Sequence, residues 1–229
     1  MDVQEYRDNG VIFDLDGTVI NSAADIVDAL RLAYLENGIR VGDALDSTCI
    51  GPPLKDMISM LTPGLAQTEE AHIIQSFRRI YDTIPYEKTE LYDGILEVVR
   101  QLKLRDIPLF MATNKPRHAA LSLLDKFELS GYLLEVMTPD RGDGITFSKS
   151  KMLNYLKSKW NLRASYFAGD SSEDIRAAHE NNLWSIAVLY GYGRKDSLAA
   201  EKPHYIVEKA ADILLVILNT LKTGEHCEL

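Results

Sequence analysis

Six short apolar runs, mostly separated by segments of helical periodicity, restrict the fold more than any other feature of this sequence. They lie at residues 11–13, 108–112, 133–137, 166–168, 186–189 and 205–207. Their length and content suit strands buried on both faces. Between most of them, apolar residues recur every three or four positions. Residues 94–105 align Ile95, Val98, Val99 and Leu102; residues 118–127 align Leu121, Leu124 and Phe127; residues 152–160 align Met152, Leu153, Leu156 and Trp160. Such alternation implies an α/β fold, a Rossmann-like three-layer core with a parallel sheet and helices on both faces.

The alternation starts late, and no strand is read between Val19 and Pro85. Asn21 or Ser22 is a candidate N-cap, and Ser22 with Asp25 resembles a capping box. Residues 24–37 then read as a helix ending at Gly38. Gly51-Pro52-Pro53 forms a turn that feeds a helix at 54–61. A further helix at 69–81 carries Ile73, Ile74, Phe77 and Ile80 on its apolar face. A helical block of about 65 residues therefore interrupts the α/β pattern just after its first strand. The expected organisation is a core domain of residues 1–20 and 86–229, with a small all-α domain at 21–85 inserted into it.

The chain has 229 residues, 46% of them hydrophobic, which is enough to bury a substantial core. A formal net charge of −9 argues against non-specific binding to nucleic acid or membrane. An anionic substrate would need local positive charge in its site. Two cysteines, Cys49 and Cys227, are too few for a disulfide framework and suit a reducing compartment. The first ten residues carry no signal-peptide core, and the longest apolar run, 213–218, is too short to span a bilayer. A cytoplasmic location is expected.

The first run opens the stretch VIFDLDGTVINS at residues 11–22. In an open parallel sheet, ligands bind beyond the carboxyl ends of the strands. Asp14 stands at such an end and Asp16 two residues on, so both carboxylates can face one site if the chain stays near-extended. Carboxylates that close repel unless a cation or a proton joins them. Mg²⁺ is the natural candidate, with its oxygen ligands and its use of one or two carboxylates plus phosphate. A Ca²⁺ loop fails, because its sixth position would be Val19 instead of glycine and Asp25 stands where glutamate is needed. Capping of the next turn is the alternative, and the stretch by itself leaves both open.

Other strand ends add to it. The run at 108–112 leads into Thr113-Asn114-Lys115 and then Pro116, a helix-starting residue. A hydroxyl and free N–H groups before a helix can hold a phosphate, or can simply cap it. The run at 166–168 leads into Gly169-Asp170, and Asp174 follows one helical turn on, within SSEDIRAA. Asp170, Ser171 and Glu173 are also ordinary helix-start residues. Ser148-Lys149-Ser150-Lys151 opens a helix, where lysine opposes the macrodipole and calls for an anionic partner unless it is simply solvated.

In order, these motifs read Asp-x-Asp-Gly-Thr, a strand-end threonine, a lysine, then Gly-Asp-x-x-x-Asp. The chain here resembles the haloacid dehalogenase superfamily of phosphohydrolases over essentially its whole length. The helical block resembles that superfamily's small α-helical cap. IGPPL at 50–54 and MATNKP at 111–116 are most similar to the phosphoglycolate phosphatase-like branch. The resemblance implies a Mg²⁺-dependent phosphatase that hydrolyses a small phosphorylated metabolite through an aspartyl-phosphate. It assigns Asp14 as nucleophile and Asp16 as general acid–base, with Thr113 and Lys149 holding the phosphate. Lys151 is the fallback for the lysine. Asp14, Asp170 and Asp174, with the backbone carbonyl of Asp16, form the metal site. Asn114 and Gly17 join as substrate-binding positions, and Lys55, after the Gly51-Pro52-Pro53 turn, is expected to read the distal part of the substrate. Mutase and 5′-nucleotidase chemistry are alternatives within the superfamily. A receiver domain phosphorylated on aspartate is the alternative outside it, although such a domain has no reason for a helical insert.

Two departures stand out. Asn21 occupies a place where the family often has aspartate, and Asn181-Asn182 replaces a common Ala-Gly. Gly191-Tyr192-Gly193 follows a late strand but lacks the third glycine of a dinucleotide site. Arg141-Gly142-Asp143 reads as a loop. His72, His118 and His179 lack metal-ligand spacing and read as surface or packing residues.

Overall fold

The computed structural model describes residues 9–42, 44–140 and 146–223. The Arg141-Gly142-Asp143 loop, Cys227 and the first eight residues lie outside them. The chain divides into two compact units, Met1–Ile20 with Leu91–Leu229, and Asn21–Glu90.

The first unit is an α/β layer structure built on a six-stranded parallel sheet. Its strands are β1 (Val11–Phe13), β4 (Leu109–Ala112), β5 (Glu135–Met137), β6 (Tyr166–Gly169), β7 (Trp184–Val188) and β8 (Tyr205–Val207). The spatial order is β5-β4-β1-β6-β7-β8. β1 lies between β4 and β6, with Ile12 beside Phe110 on one side and Phe167 on the other. Every residue of β1, β4, β6 and β7 is buried, which is why these strands are nearly continuous apolar runs, broken only by Ser185 in β7. Successive side chains point to opposite faces. Ile12, Phe110, Ala112 and Phe167 pack against Met152, Leu153 and Leu156 of α6 (Lys149–Trp160) and Ala177 and Ala178 of α7 (Ser172–Glu180). Helix α4 (Ile95–Lys103) buries Ile95, Val98, Val99 and Leu102, and α9 (Ala210–Thr223) packs against it. Helices α5 (Arg117–Lys126) and α8 (Lys195–Ala200) complete this unit. The order of strands reverses direction at β1, so the crevice beyond its carboxyl end is the topological switch point, where open α/β sheets bind ligands.

The second unit holds α1 (Ala23–Glu36), α2 (Leu54–Leu61) and α3 (Gln67–Tyr81). Tyr34 of α1 is fully buried, and its hydroxyl lies 3.2 Å from Thr62 Oγ1. Ser22 makes no capping bond with its side chain; Asn21 Oδ1 instead accepts from the Ala23 N–H at 3.3 Å. Asp25, expected to complete a capping box, accepts from Thr89 Oγ1 at 2.6 Å and from the Lys88 N–H at 3.1 Å. Those bonds tie residues 88–89 to the first turn of α1, so the unit runs to Glu90 instead of stopping at residue 85. The strands β2 (Ile20–Asn21) and β3 (Glu90–Leu91) pair with each other where the division falls.

His72 and His118 are exposed. His179 belongs to a packed cluster at β7. The Ser185 N–H donates to His204 Nδ1 at 3.1 Å, so that nitrogen carries no proton. The Ser185 hydroxyl, 2.8 Å from the same nitrogen, must then donate to it as well, while its oxygen accepts from the His204 N–H and from His179 Nε2 at 3.0 Å each. Asn182 stands after α7 with φ of +49°, a left-handed position that asparagine tolerates nearly as glycine does.

Candidate active site

Three adjacent strands deliver their ends to one place. Asp14 follows β1, Thr113 follows β4 and Asp170 follows β6; all three are buried. Directly after Asp14 the chain turns tightly instead of continuing extended. The Leu15 carbonyl accepts from the Val19 and Ile20 N–H groups, and the Gly17 N–H donates to the Ile20 carbonyl at 2.8 Å. Gly17 has φ of +83°, and a side chain there would overlap the Asp170 carboxylate. With its amide already bonded, what Gly17 contributes is space.

Asp14, Asp170 and Asp174 bring carboxylate oxygens within 4.8 Å of one another. Lys149, at the first turn of α6 and only 2% exposed, reaches into them. Its ammonium donates to Asp14 Oδ1 and to the Ala112 carbonyl at 3.2 Å, and lies 3.0 Å from Asp174 Oδ1. Lys151 is exposed on the same helix, its backbone N–H capped by Ser148 Oγ at 3.4 Å. Asp174 is held from its other oxygen, which accepts from Ser171 Oγ at 2.7 Å and from the Ser171 N–H at 3.1 Å.

One ammonium against three buried carboxylates leaves the cluster short of positive charge. Burial pushes Asp14 well above the ordinary carboxylate range; Lys149 opposes that, while Asp174 and Asp170 add to it. Asp170 is pushed up to about 7, first by burial and then by Asp174. Burial alone would lower Lys149, but Asp14 and Asp174 together hold it above its ordinary value, so it stays protonated. A buried, charge-deficient set of hard oxygen donors fits a small divalent cation such as Mg²⁺. Asp174 is already engaged by Lys149 and Ser171, so Asp14 and Asp170 have the freer oxygens for it.

Asp16 keeps apart from this cluster. Its carboxylate pairs with Lys115, whose ammonium donates to both oxygens at 2.8 and 3.0 Å. The two opening aspartates therefore hold different cations. Thr113 Oγ1 accepts from the Lys115 N–H at 3.1 Å, and the exposed Asn114 donates to Glu173 Oε2 at 3.0 Å. Lys55 belongs to the helical unit and pairs there with Glu70 at 3.7 Å.

The Gly191-Tyr192-Gly193 loop after β7 wraps Asp170. The Tyr192 N–H donates to Asp170 Oδ2 at 2.6 Å, and side chains at Gly191 or Gly193 would overlap Asp170 itself. Tyr92 and Tyr190 pack beside it with centroids 4.7 Å apart and ring planes tilted by 56°, and the Tyr190 hydroxyl donates to the Thr18 carbonyl at 2.9 Å. Burial, and then Asp170, pushes Tyr92 up to about 12.

The family model described as haloacid dehalogenase-like hydrolase matches residues 11–188, which takes in every residue of this carboxylate–lysine cluster. The chain belongs to the haloacid dehalogenase-like hydrolases. Among relatives of this hydrolase, a phosphoglycolate phosphatase of Yersinia pestis is 30% identical over 227 residues, covering 94% of this chain and 96% of the relative. A 5′-nucleotidase of Pseudomonas aeruginosa is 28% identical over 205 residues, covering 88% and 92%. The crystal structure of a "predicted phosphatase" from Clostridium acetobutylicum superposes with a TM-score of 0.81 at 27% identity, covering 92% of this chain and 98% of that one. Among the described residues, no helix is long and apolar enough to cross a membrane.

Proposed function

We propose that this hydrolase is a Mg²⁺-dependent phosphatase acting on a small phosphorylated metabolite of the phosphoglycolate kind. The observation that carries the proposal is the buried Lys149 ammonium on Asp14 and Asp174, beside Asp170. A carboxylate there suits a nucleophile held in place, with the Lys149 ammonium beside it to meet a phosphoryl oxygen.

In this scheme Asp14 attacks phosphorus. The bond from phosphorus to the leaving oxygen breaks, a bond to the Asp14 carboxylate forms, and Asp16, which takes up a proton from solvent before this step, gives it to the leaving oxygen. Water then attacks the same phosphorus, Asp16 takes its proton, and inorganic phosphate departs as the Asp14 carboxylate is restored. Lys149 and Thr113 steady the phosphoryl oxygens, whose charge the site must neutralise in the transition state. Magnesium held by Asp14, Asp170 and the Asp16 backbone carbonyl would supply further neutralising charge and orientation when bound. Asp174 acts behind them by fixing Lys149.

The test is phosphate release from a panel of 2-phosphoglycolate, nucleoside 5′-monophosphates and hexose phosphates, with Mg²⁺ and with excess chelator. Preference for phosphoglycolate, dependent on Mg²⁺, is the expected result. Preference for nucleoside monophosphates would favour the activity named for the Pseudomonas relative, and conversion of a hexose 1-phosphate to the 6-phosphate would favour a mutase. Retention of phosphate on the protein without release would favour a receiver.

A further inference from the structure

Lys115 is the buried cation that the scheme above does not use. It is 7% exposed and stands just past the end of β4, in the turn before α5. A lysine buried this deeply holds its charge only against an anion. Both Asp16 oxygens serve, at 2.8 and 3.0 Å, from a carboxylate that is itself 23% exposed. The lysine stem is fixed from its backbone as well, since the Lys115 N–H donates to Thr113 Oγ1 at 3.1 Å.

The pairing separates two carboxylates that the sequence sets two residues apart. Lys149 takes Asp14 into the acidic cluster, while Lys115 holds Asp16 outside it. Without Lys115, a cation drawn to Asp14 and Asp170 would also attract Asp16, and a carboxylate engaged on such a cation is no longer free to face a leaving oxygen. We propose that Lys115 is a positioning residue that fixes the orientation of the Asp16 carboxylate for proton transfer, and that it acts on the reaction through Asp16. This rests on the phosphatase reading. It predicts a defect that depends on the leaving group, because an alkoxide needs a proton as the bond to phosphorus breaks and a nitrophenolate does not. Misplacement of a reacting group by about 1 Å costs on the order of 10²-fold in rate.

The experiment measures the rate of phosphoenzyme formation by rapid quench for wild type, Lys115→Met, Lys115→Arg, Asp16→Asn and the double variant Lys115→Met/Asp16→Asn. Each is given an alkyl phosphate and 4-nitrophenyl phosphate. Lys115→Met is expected to slow the first step about 10²-fold with the alkyl ester and less than about tenfold with the aryl ester. Lys115→Arg should recover most of the alkyl rate, because it keeps two donors facing the carboxylate. In the Asp16→Asn background the Met substitution should add nothing for the alkyl ester, as residues acting as one unit are non-additive. Equal losses on both esters, additive losses in the double variant, or no loss at all would overturn the assignment. If Lys115→Met does not fold, the arginine variant decides: an alkyl rate reduced to that of Asp16→Asn overturns it, and a rate near wild type supports it. Wild-type protein that transfers phosphate from neither ester overturns the phosphatase reading, and with it this one.

Discussion

Replacing Lys149 by methionine keeps an unbranched side chain of similar length and removes the cation that pairs with both Asp14 and Asp174. All three carboxylates of the cluster are at most 5% exposed, so water does little to replace it. Breaking a buried pair by removing one partner costs about 3–5 kcal/mol, because the opposite charge is stranded. For a protein of this size that is a fall of roughly 6–20 °C in melting temperature. Protons limit the damage. The stranded carboxyls already sit above their ordinary range, Asp170 at about 7, and would rise further without the lysine. A carboxyl raised in the folded state binds more protons there than in the unfolded chain, so stability falls as pH rises. The gap between variant and wild type should therefore widen from pH 6 to pH 8 in chelator. Saturating Mg²⁺ at pH 8 should narrow it, by stabilising the state that binds it. Trp160 and Trp184, the only tryptophans, both lie in the α/β unit, so fluorescence-detected urea unfolding reports on that unit alone. A variant within about 1 kcal/mol of wild type at pH 8 in chelator, against the 3–5 expected, would refute the reasoning. So would a gap that closes as pH rises.

Gly193→Ala places a methyl group on the Asp170 carbonyl and should weaken Mg²⁺ binding about 10–100-fold by calorimetry, the usual effect of disturbing what orients a ligand; unchanged affinity would contradict it. Excess chelator should abolish phosphate release, Mg²⁺ should restore it, and Ca²⁺ should restore little, because it accepts looser geometry; full activity in chelator would exclude the metal. His204 is held below its ordinary value of 6.5 by burial and then by His179, so the unfolded chain binds the proton more readily and stability should fall as pH drops through 6.5 and below. His204→Asn keeps an acceptor for Ser185 without a titrating ring, and its melting temperature should fall less over the same range; equal slopes would remove His204 from acid sensitivity.

The core was legible because buried parallel strands are nearly continuous apolar runs. The expected strands at 11–13 and 205–207 coincide with β1 and β8, and the expected helix at 54–61 coincides with α2. β2 and β3 are two residues each, too short for any period to show. Helix α9 surfaced only as the apolar run 213–218, because residues apolar on several faces hide helical spacing. Local capping misled at Ser22, where the expected partner Asp25 is claimed by Lys88 and Thr89, more than sixty residues on.

Within the candidate site, the placing of Asp14, Thr113, Lys149, Asp170 and Asp174 was legible, since each follows a strand or lies in the first turn of a helix. Their convergence follows from the order of β4, β1 and β6. Lys115 was visible in Thr113-Asn114-Lys115 without a role, for its partner lies 99 residues away and a lysine after a strand is ordinarily solvated. Gly191 and Gly193 matched no cofactor motif. Their use is steric: β7 lies beside β6, so the loop after it must pass against Asp170, and only glycine leaves room.

The proposed chemistry passes through a covalent phosphoryl group on Asp14, and mass spectrometry after acid quench reads that group directly. Asp16→Ala incubated with 4-nitrophenyl phosphate and Mg²⁺ should accumulate one added phosphoryl group on the peptide containing Asp14, because attack can proceed while hydrolysis lacks its base. Asp14→Asn should carry none and release no phosphate. Label on any other residue, or wild-type turnover by Asp14→Asn, would contradict the assignment of Asp14 as nucleophile.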